Sequence, residues 1–287
     1  MQQDENDSRV ADALQIRCIQ EVAFSESPVE RMDSMREMVL STRFDSDALH
    51  RIVVLPEMWP VGFFNFDNYR AFAEQHFGLF VDLVVEAAST LRCWMFGGSA
   101  PYEANGKYFN RSLVASPAGQ LHSYDKIHLF AYRSREAEIL SPGTGLTMFE
   151  TPLGQTALLT CFDLRFPECF RALRQKGCHA YVVVAAWPKA RVAHWKALLI
   201  SRAIENQAWV VGVNGRGDDF GTDLGGQSMI VAPNGEIIES LGDARDILSK
   251  SLDVALTDSV RAEFPFHSSV LPNLLNASGS FPVRTSS

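Results

Sequence analysis

Short apolar runs rich in β-branched residues alternate with longer amphipathic segments along most of the chain. Runs of this length, bounded by turn residues, are typical of strands buried in a sheet. The runs predicted as strands are 14–20, 51–55, 93–97, 120–124, 155–160, 180–185 and 208–213. Because strands alternate with helical segments, the pattern predicts an α/β fold of packed layers with a mixed sheet.

Four segments between these runs are predicted as helices. The first follows Ser27-Pro28-Val29-Glu30, which has the form of a capping box with Ser27 as the N-cap. The other three are 71–91, 167–176 and 191–207. Helical spacing of apolar residues supports the first helix and the last. The positions concerned are Val29, Met32, Met35 and Val39 in the first, and Val192, Trp195, Leu199 and Ala203 in the last.

Two later segments, 112–121 and 228–237, share one pattern. Each has a strand, a Pro-x-Gly turn and a second strand, which is typical of an antiparallel hairpin. The similarity is either a coincidence between two common hairpins or a sign that the fold has two similar halves. In the second case each half would pair α/β units with a hairpin.

Composition and charge exclude several classes of partner and of membrane protein. The 287 residues carry a formal net charge of −8, which argues against a nucleic acid or an anionic membrane as partner. No apolar run approaches the roughly 20 residues that a membrane span needs. Residues 1–12 lack the features of a secretory signal and are expected to form a disordered tail. We expect one domain over 13–265 and a loose C-terminal arm over 266–287.

The five cysteines are odd in number and contain no Cys-x-x-Cys pair. This usage predicts reduced thiols in the cytoplasm and argues against a disulfide framework or a structural zinc site. Cys161 stands apart because a β-prone run ends at it and Pro167 then opens a helix. Backbone N–H groups at such a turn can lower the pKa of a thiol and bind an oxyanion. A buried core cysteine is the alternative interpretation.

Three predicted strands end near a reactive side chain: Glu57, Lys126 and Cys161. In open α/β sheets, ligand sites gather beyond the carboxyl ends of the strands. A carboxylate, an ammonium group and a thiol brought together there would supply a base, an oxyanion stabiliser and a nucleophile. A single reactive residue at the end of a strand is weak evidence for catalysis, because surface Glu and Lys are usually solvated.

The three side chains lie within motifs that resemble the signatures of the nitrilase superfamily of carbon–nitrogen hydrolases, in order and approximate spacing. The motifs are Leu-Pro-Glu-Met at 55–58, Tyr-Asp-Lys-Ile-His-Leu at 124–129 and Cys-Phe-Asp-Leu-Arg-Phe-Pro-Glu at 161–168. The resemblance extends from the first strand to about Val254. It implies a four-layer αββα sandwich, usually dimerised into a longer one.

The resemblance also implies a role for each residue. Cys161 would be the nucleophile and Glu57 the general base. Lys126 and the backbone N–H of Phe162 would hold the oxyanion. Glu136 fits the position of a second glutamate before a Pro-Gly pair, better than Glu138 does. The chemistry requires no metal or cofactor. His128 and His194 are interpreted as structural, and Asp163 and Arg165 as residues that hold the turn by hydrogen bonds and an ion pair.

The segment from Ala186 to Ala208 resembles the ω-amidase branch, whose members deamidate 2-oxoglutaramate and 2-oxosuccinamate. The implied partners are a small amide and water, with no nucleic acid and no membrane. Arg165 or Arg216 would bind the substrate carboxylate, and Trp187 and Phe63 are candidate pocket walls. The alternatives are another small amide or an N-carbamoyl amine, transfer of the acyl group to an amine, and a non-catalytic scaffold.

Overall fold

The structure is a computed structural model, and it describes residues 14–21, 27–46, 48–244 and 246–270. The expected N-terminal tail over 1–12 and most of the expected C-terminal arm lie outside these ranges. Within them, no helix is long and apolar enough to cross a membrane.

The described ranges contain seven α-helices. They are α1 (Pro28–Leu40), α2 (Tyr69–Gln75), α3 (Phe77–Leu91), α4 (Glu136–Ile139), α5 (Pro167–Gln175), α6 (Val192–Asn206) and α7 (Leu256–Glu263). Short 3₁₀ turns lie at Phe66–Asn68, Cys161–Arg165, Lys189–Arg191 and Phe266–Ser269.

The same ranges contain fourteen strands. Those of the first half are β1 (Leu14–Gln20), β2 (His50–Val54), β3 (Trp94–Ala104), β4 (Lys107–Ala115) and β5 (Leu121–Asp125). Those of the second half are β6 (Thr147–Thr151), β7 (Gly154–Thr160), β8 (Ala180–Ala185), β9 (Trp209–Asn214), β10 (Arg216–Asp219), β11 (Thr222–Gly225), β12 (Met229–Val231), β13 (Ile237–Ser240) and β14 (Asp246–Leu252).

Two six-stranded mixed sheets carry the fold, in the orders β14-β1-β2-β3-β4-β5 and β6-β7-β8-β9-β12-β13. Each sheet has an antiparallel edge strand, three parallel strands and then an antiparallel hairpin. The two hairpins predicted from Pro-x-Gly turns occupy the same place in the two sheets. This topology favours the interpretation of two similar halves.

The main hydrophobic core lies between the sheets. Ile16, Val54 and Phe96 of the first sheet belong to one buried cluster with Leu158 and Val182 of the second. A second cluster joins the other face of the first sheet to α1 and α3, while α6 packs on β9 and α5 packs on α6. The predicted four-layer αββα sandwich with mixed sheets is therefore confirmed.

Local signals fixed most of the elements. The side chain of Ser27 caps α1 by accepting a hydrogen bond from the backbone N–H of Glu30. The prediction of a single helix over 71–91 was wrong: α2 ends at Gln75, and His76, with φ −125°, separates it from α3. The predicted strand at 93–97 was too short, because β3 continues to Ala104 as the partner of β4.

Candidate active site

Glu57 lies three residues beyond the end of β2 and is fully buried. Its Oε1 accepts hydrogen bonds from Asn110 Nδ2 and Lys126 Nζ, both at 2.8 Å. Its Oε2 accepts the backbone N–H of Ala186 at 2.9 Å. Ala186 follows β8, so the carboxylate joins the ends of one strand from each sheet. These hydrogen bonds to both oxygens fix the orientation of the side chain.

Cys161 begins a 3₁₀ turn between β7 and α5 with φ +47°, in the left-handed region that residues with a Cβ rarely adopt. Asp163 holds this turn, because its Oδ2 accepts the backbone N–H of Thr160 at 3.0 Å and the hydroxyl of Tyr124 at 2.7 Å. The thiol lies close enough to the Glu57 carboxylate for that charge to act on it. Strain held by surrounding contacts is common at nucleophiles.

Lys126 follows β5 and is also fully buried. Its Nζ donates to Glu57 at 2.8 Å and to the two carboxylate oxygens of Glu136 at 2.9 and 3.0 Å. Glu136 in turn accepts the backbone N–H of Phe130 at 2.7 Å and the amide of Asn110 at 3.0 Å. The ring of Phe63, which lines the cavity described below, lies 5.1 Å from Nζ. The ammonium group is therefore fixed between two carboxylates, next to a residue that lines the cavity.

Burial and the neighbouring charges set the proton positions. Burial alone would lower the pKa of Lys126, but the carboxylates of Glu136 and Glu57 outweigh it and raise that pKa above its usual value. Burial, and then the charge of Glu57, raise the pKa of Cys161 well above its usual value. The N–H groups of the turn therefore do not bring the pKa of this thiol below its usual value, and the resting thiol is protonated. A base beside it is needed to form the thiolate.

A cavity that is partly open to solvent borders Cys161, and its empty space of about 320 Å³ includes some of that solvent. Its walls are largely aromatic, formed by Phe63, Phe64, Phe130, Phe162 and Trp187. Two cations, Arg165 and Arg191, also line the cavity. The space suits a small molecule with an apolar stem and an anionic group, presented to the thiol at one end.

Comparison with known proteins agrees with this arrangement. Residues 44–262 match the family described as Carbon-nitrogen hydrolase. The chain belongs to this family. A 2-oxoglutaramate amidase of Paenarthrobacter nicotinovorans is 34% identical over 223 residues, which cover 75% of this chain and 76% of that protein. An omega-amidase of Xenopus laevis is 31% identical over 264 residues, which cover 88% and 94%.

Solved structures show the same fold. A CN-hydrolase superfamily protein of Xanthomonas campestris superposes with a TM-score of 0.81 at 28% identity, covering 90% of this chain and 97% of that one. The predicted membership of the nitrilase superfamily is thereby confirmed. The individual roles assigned to Glu57, Lys126, Cys161 and Glu136 in catalysis stay predictions, although the structure brings the four side chains together.

Several predicted positions need correction or comment. Arg216 does not line the cavity; its guanidinium lies 3.5 Å from the carboxylate of Glu21, so the structure does not support a role in binding the substrate carboxylate. Glu138 is largely exposed, 3.9 Å from Arg135. Arg165 lines the cavity and makes no ion pair with Asp163 within the described part of the chain, so of these two residues Asp163 is the one that holds the turn.

The two histidines also have definite places. His128 hydrogen-bonds to Asp163 through its backbone N–H at 3.0 Å and its Nδ1 at 2.8 Å, and its ring stacks on Phe166. His194 lies 3.5 Å from the guanidinium of Arg165 at the surface. Neither lines the cavity. These contacts agree with the structural interpretation of both residues.

Sequence reasoning missed two residues of the site. Asn110 bridges Glu57 and Glu136 from within β4, and an isolated polar residue in a strand gives little local signal. Arg191 reaches the cavity from the 3₁₀ turn before α6. Its place depends on how that turn packs, which the pattern of the segment does not reveal.

Proposed function

We propose that the chain is an amidase of the ω-amidase type, which hydrolyses the terminal amide of a small 2-oxo carboxylic acid through a thioester on Cys161. The observation that carries this proposal is the buried cluster of Glu57, Lys126 and Cys161 beside a small, largely aromatic cavity that two arginines also line. The relatives named 2-oxoglutaramate amidase and omega-amidase support the substrate class.

In the first half of the reaction, Glu57 takes the proton of the Cys161 thiol as the sulfur attacks the amide carbon. The negative charge that develops on the carbonyl oxygen is held by Lys126 and by the backbone N–H of Phe162. Glu57 then delivers its proton to the leaving nitrogen, the carbon–nitrogen bond breaks, and ammonia departs. The acid remains as a thioester on Cys161.

In the second half, Glu57 removes a proton from a water molecule that attacks the thioester. The same two donors stabilise the second oxyanion. The thiolate leaves and regains its proton from Glu57, which releases the carboxylic acid. Glu136 does not touch the reacting atoms in this scheme; it keeps Lys126 charged and in place.

The substrate needs an anionic end, because Arg165 faces the cavity and lines it with the aromatic residues. A guanidinium is well suited to a carboxylate, since it offers two parallel donors. N-carbamoyl-β-alanine also carries a carboxylate and is the main alternative substrate. The complete set of reactive groups argues against a scaffold without activity. Whether water or an amine accepts the acyl group depends on which of them enters the cavity.

The experiment is to measure ammonia release from 2-oxoglutaramate, 2-oxosuccinamate, glutamine, asparagine and N-carbamoyl-β-alanine. Cys161→Ala is the test variant, and Cys169→Ala is the matched control because Cys169 is also buried but lies in α5 outside the cavity. We expect turnover of the keto-amides by the parent and by Cys169→Ala, and none by Cys161→Ala. Substantial turnover by clean Cys161→Ala would overturn the mechanism.

Two further proposals concern the setting of the enzyme. We propose that it acts as a homodimer, as its resemblance to the superfamily implies; sedimentation of the purified chain tests this. We also propose residence in the cytoplasm, which the five free cysteines support. Fractionation of the source cells tests that proposal.

A further inference from the structure

Two guanidinium groups face one small cavity without a carboxylate to neutralise them. Within the residues that the structure describes, neither Arg165 nor Arg191 forms an ion pair, although both line the cavity. Burial lowers the pKa of Arg165, and the nearby positive charge of Arg191 lowers it further. Two like charges at a partly desolvated site repel each other unless an anion lies between them. A bound anion would offset this repulsion.

Arg191 is held in this position by its own turn. Its backbone carbonyl accepts the indole N–H of Trp187 at 2.8 Å, and its Cζ lies 5.0 Å from the ring of Tyr132. Trp187 in turn lies under Arg165, whose Cζ is 4.6 Å from the indole ring. Trp187 thus contacts both residues, through the backbone of Arg191 and the guanidinium of Arg165.

We propose that Arg191 is a specificity-determining residue that shares the substrate carboxylate with Arg165. The proposal rests on the proposed amidase function and adds to it a second, separately placed cation. Arg165 belongs to the turn that carries the nucleophile, whereas Arg191 belongs to the turn before α6. Hydrogen bonds from two separate elements fix both the orientation of a carboxylate and its distance from Cys161. A single flexible side chain does not fix both.

This arrangement also excludes substrates. An amide with an amino group at its far end would bring a third positive charge beside the two arginines, so amides such as glutamine, with its ammonium group next to the carboxylate, should be poor substrates. Replacing that ammonium group by an uncharged 2-oxo group removes the repulsion. Selection of a keto-acid amide over the parent amino-acid amide then follows from charge alone.

The test compares three amides of the same chain length. 2-Oxoglutaramate carries the carboxylate and the 2-oxo group, glutaramate carries the carboxylate only, and pentanamide carries neither. The variants are Arg191→Met, which keeps a long apolar stem, and Arg191→Lys, which keeps the charge. Lys189→Met is the matched control, because Lys189 is in the same turn but is exposed, lies 3.2 Å from Asp243 and does not line the cavity.

For Arg191→Met we expect kcat/KM to fall about 10- to 100-fold on the two carboxylates, mainly through KM, and to stay within about 3-fold on pentanamide. Arg191→Lys should recover part of the loss, and Lys189→Met should match the parent on all three. An equal loss on pentanamide, or no loss on any substrate, would overturn the proposal. Absence of Cys161-dependent turnover on all three amides would instead overturn the proposed function.

Discussion

Both carboxylate oxygens of Glu136 accept a hydrogen bond from Lys126 Nζ, at 2.9 and 3.0 Å. Glu57 accepts another from the same nitrogen, and all three side chains are fully buried. One buried positive charge therefore lies between two buried negative ones. Removing the lysine would leave two carboxylates that repel each other and lack solvation.

Lys126→Met is therefore expected to lose stability as well as activity. Breaking a buried ion pair typically costs about 3–5 kcal/mol in unfolding free energy, and chemical denaturation measures it. Burial already raises the pKa of Glu136, and loss of the lysine raises it further, so this carboxyl takes up a proton more readily in the folded state. The loss of stability should therefore be smaller at pH 5 than at pH 8.

The double variant Lys126→Met/Glu136→Gln is the control for this interpretation. A neutral amide at 136 removes one of the two unpaired charges, so the double variant should regain part of the stability while remaining inactive. Equal stability of the single and double variants would show that the ion cluster is not the cause.

Asp163 links the two sheets at the site, and its loss should misplace both Cys161 and Lys126. It accepts the backbone N–H groups of Thr160 and His128, each at 3.0 Å, so it ties the turn at Cys161 to the chain beyond Lys126. We expect Asp163→Ala to lower kcat about 100-fold through misplacement of the thiol. Single-turnover acylation measures this effect directly. Tyr124→Phe removes a single hydroxyl donor to Asp163 and should cost far less; unchanged kcat in Asp163→Ala would refute the positioning role.

The sequence predicted the three strand ends that carry Glu57, Lys126 and Cys161 because each follows an apolar run, and the family resemblance supplied the fold that joins them. Residues whose position depends on packing between elements were not predictable in this way. Arg191 and Asn110 carry no local signal. Arg216 was a candidate for binding the substrate carboxylate because the sequence shows its charge, but the sequence does not show that Glu21 lies beside it. The break at His76 was missed because apolar residues continue on both sides of it.

Asp219 should make stability depend on pH. It is nearly fully buried in β10, where its Oδ2 accepts the backbone N–H of Phe64 at 3.1 Å, and Arg31 and Asp218 are the charged neighbours that act on it. Burial raises its pKa from 3.8 to about 6. The folded state then binds more protons than the unfolded state, so stability falls as pH rises from about 4 to about 6 and is level above that.

The contribution of Asp219 over this range is about 3 kcal/mol, and Asp219→Asn should remove it. Urea unfolding at several pH values, for the parent and the variant, gives the difference as a function of pH. The amide of the variant does not titrate. As pH rises from about 4 to about 6, the free energy of unfolding of the parent should therefore fall relative to that of the variant. A difference that does not change with pH would contradict the raised pKa.

Gly98 controls the approach of β3 to the chain segment that carries Glu57. Its φ is +72°, and a Cβ added there would lie 1.9 Å from the carbonyl oxygen of Pro56. Gly106 has a similar φ of +75° but open space around it, which makes Gly106→Ala the matched control. Both alanine variants suffer the strain of a positive φ, about 1 kcal/mol or more. Only Gly98→Ala must also displace Pro56, so we expect it to lose further stability and to lower kcat by moving Glu57. Equal effects of the two variants in thermal unfolding and ammonia release would show that this close approach does not position the base.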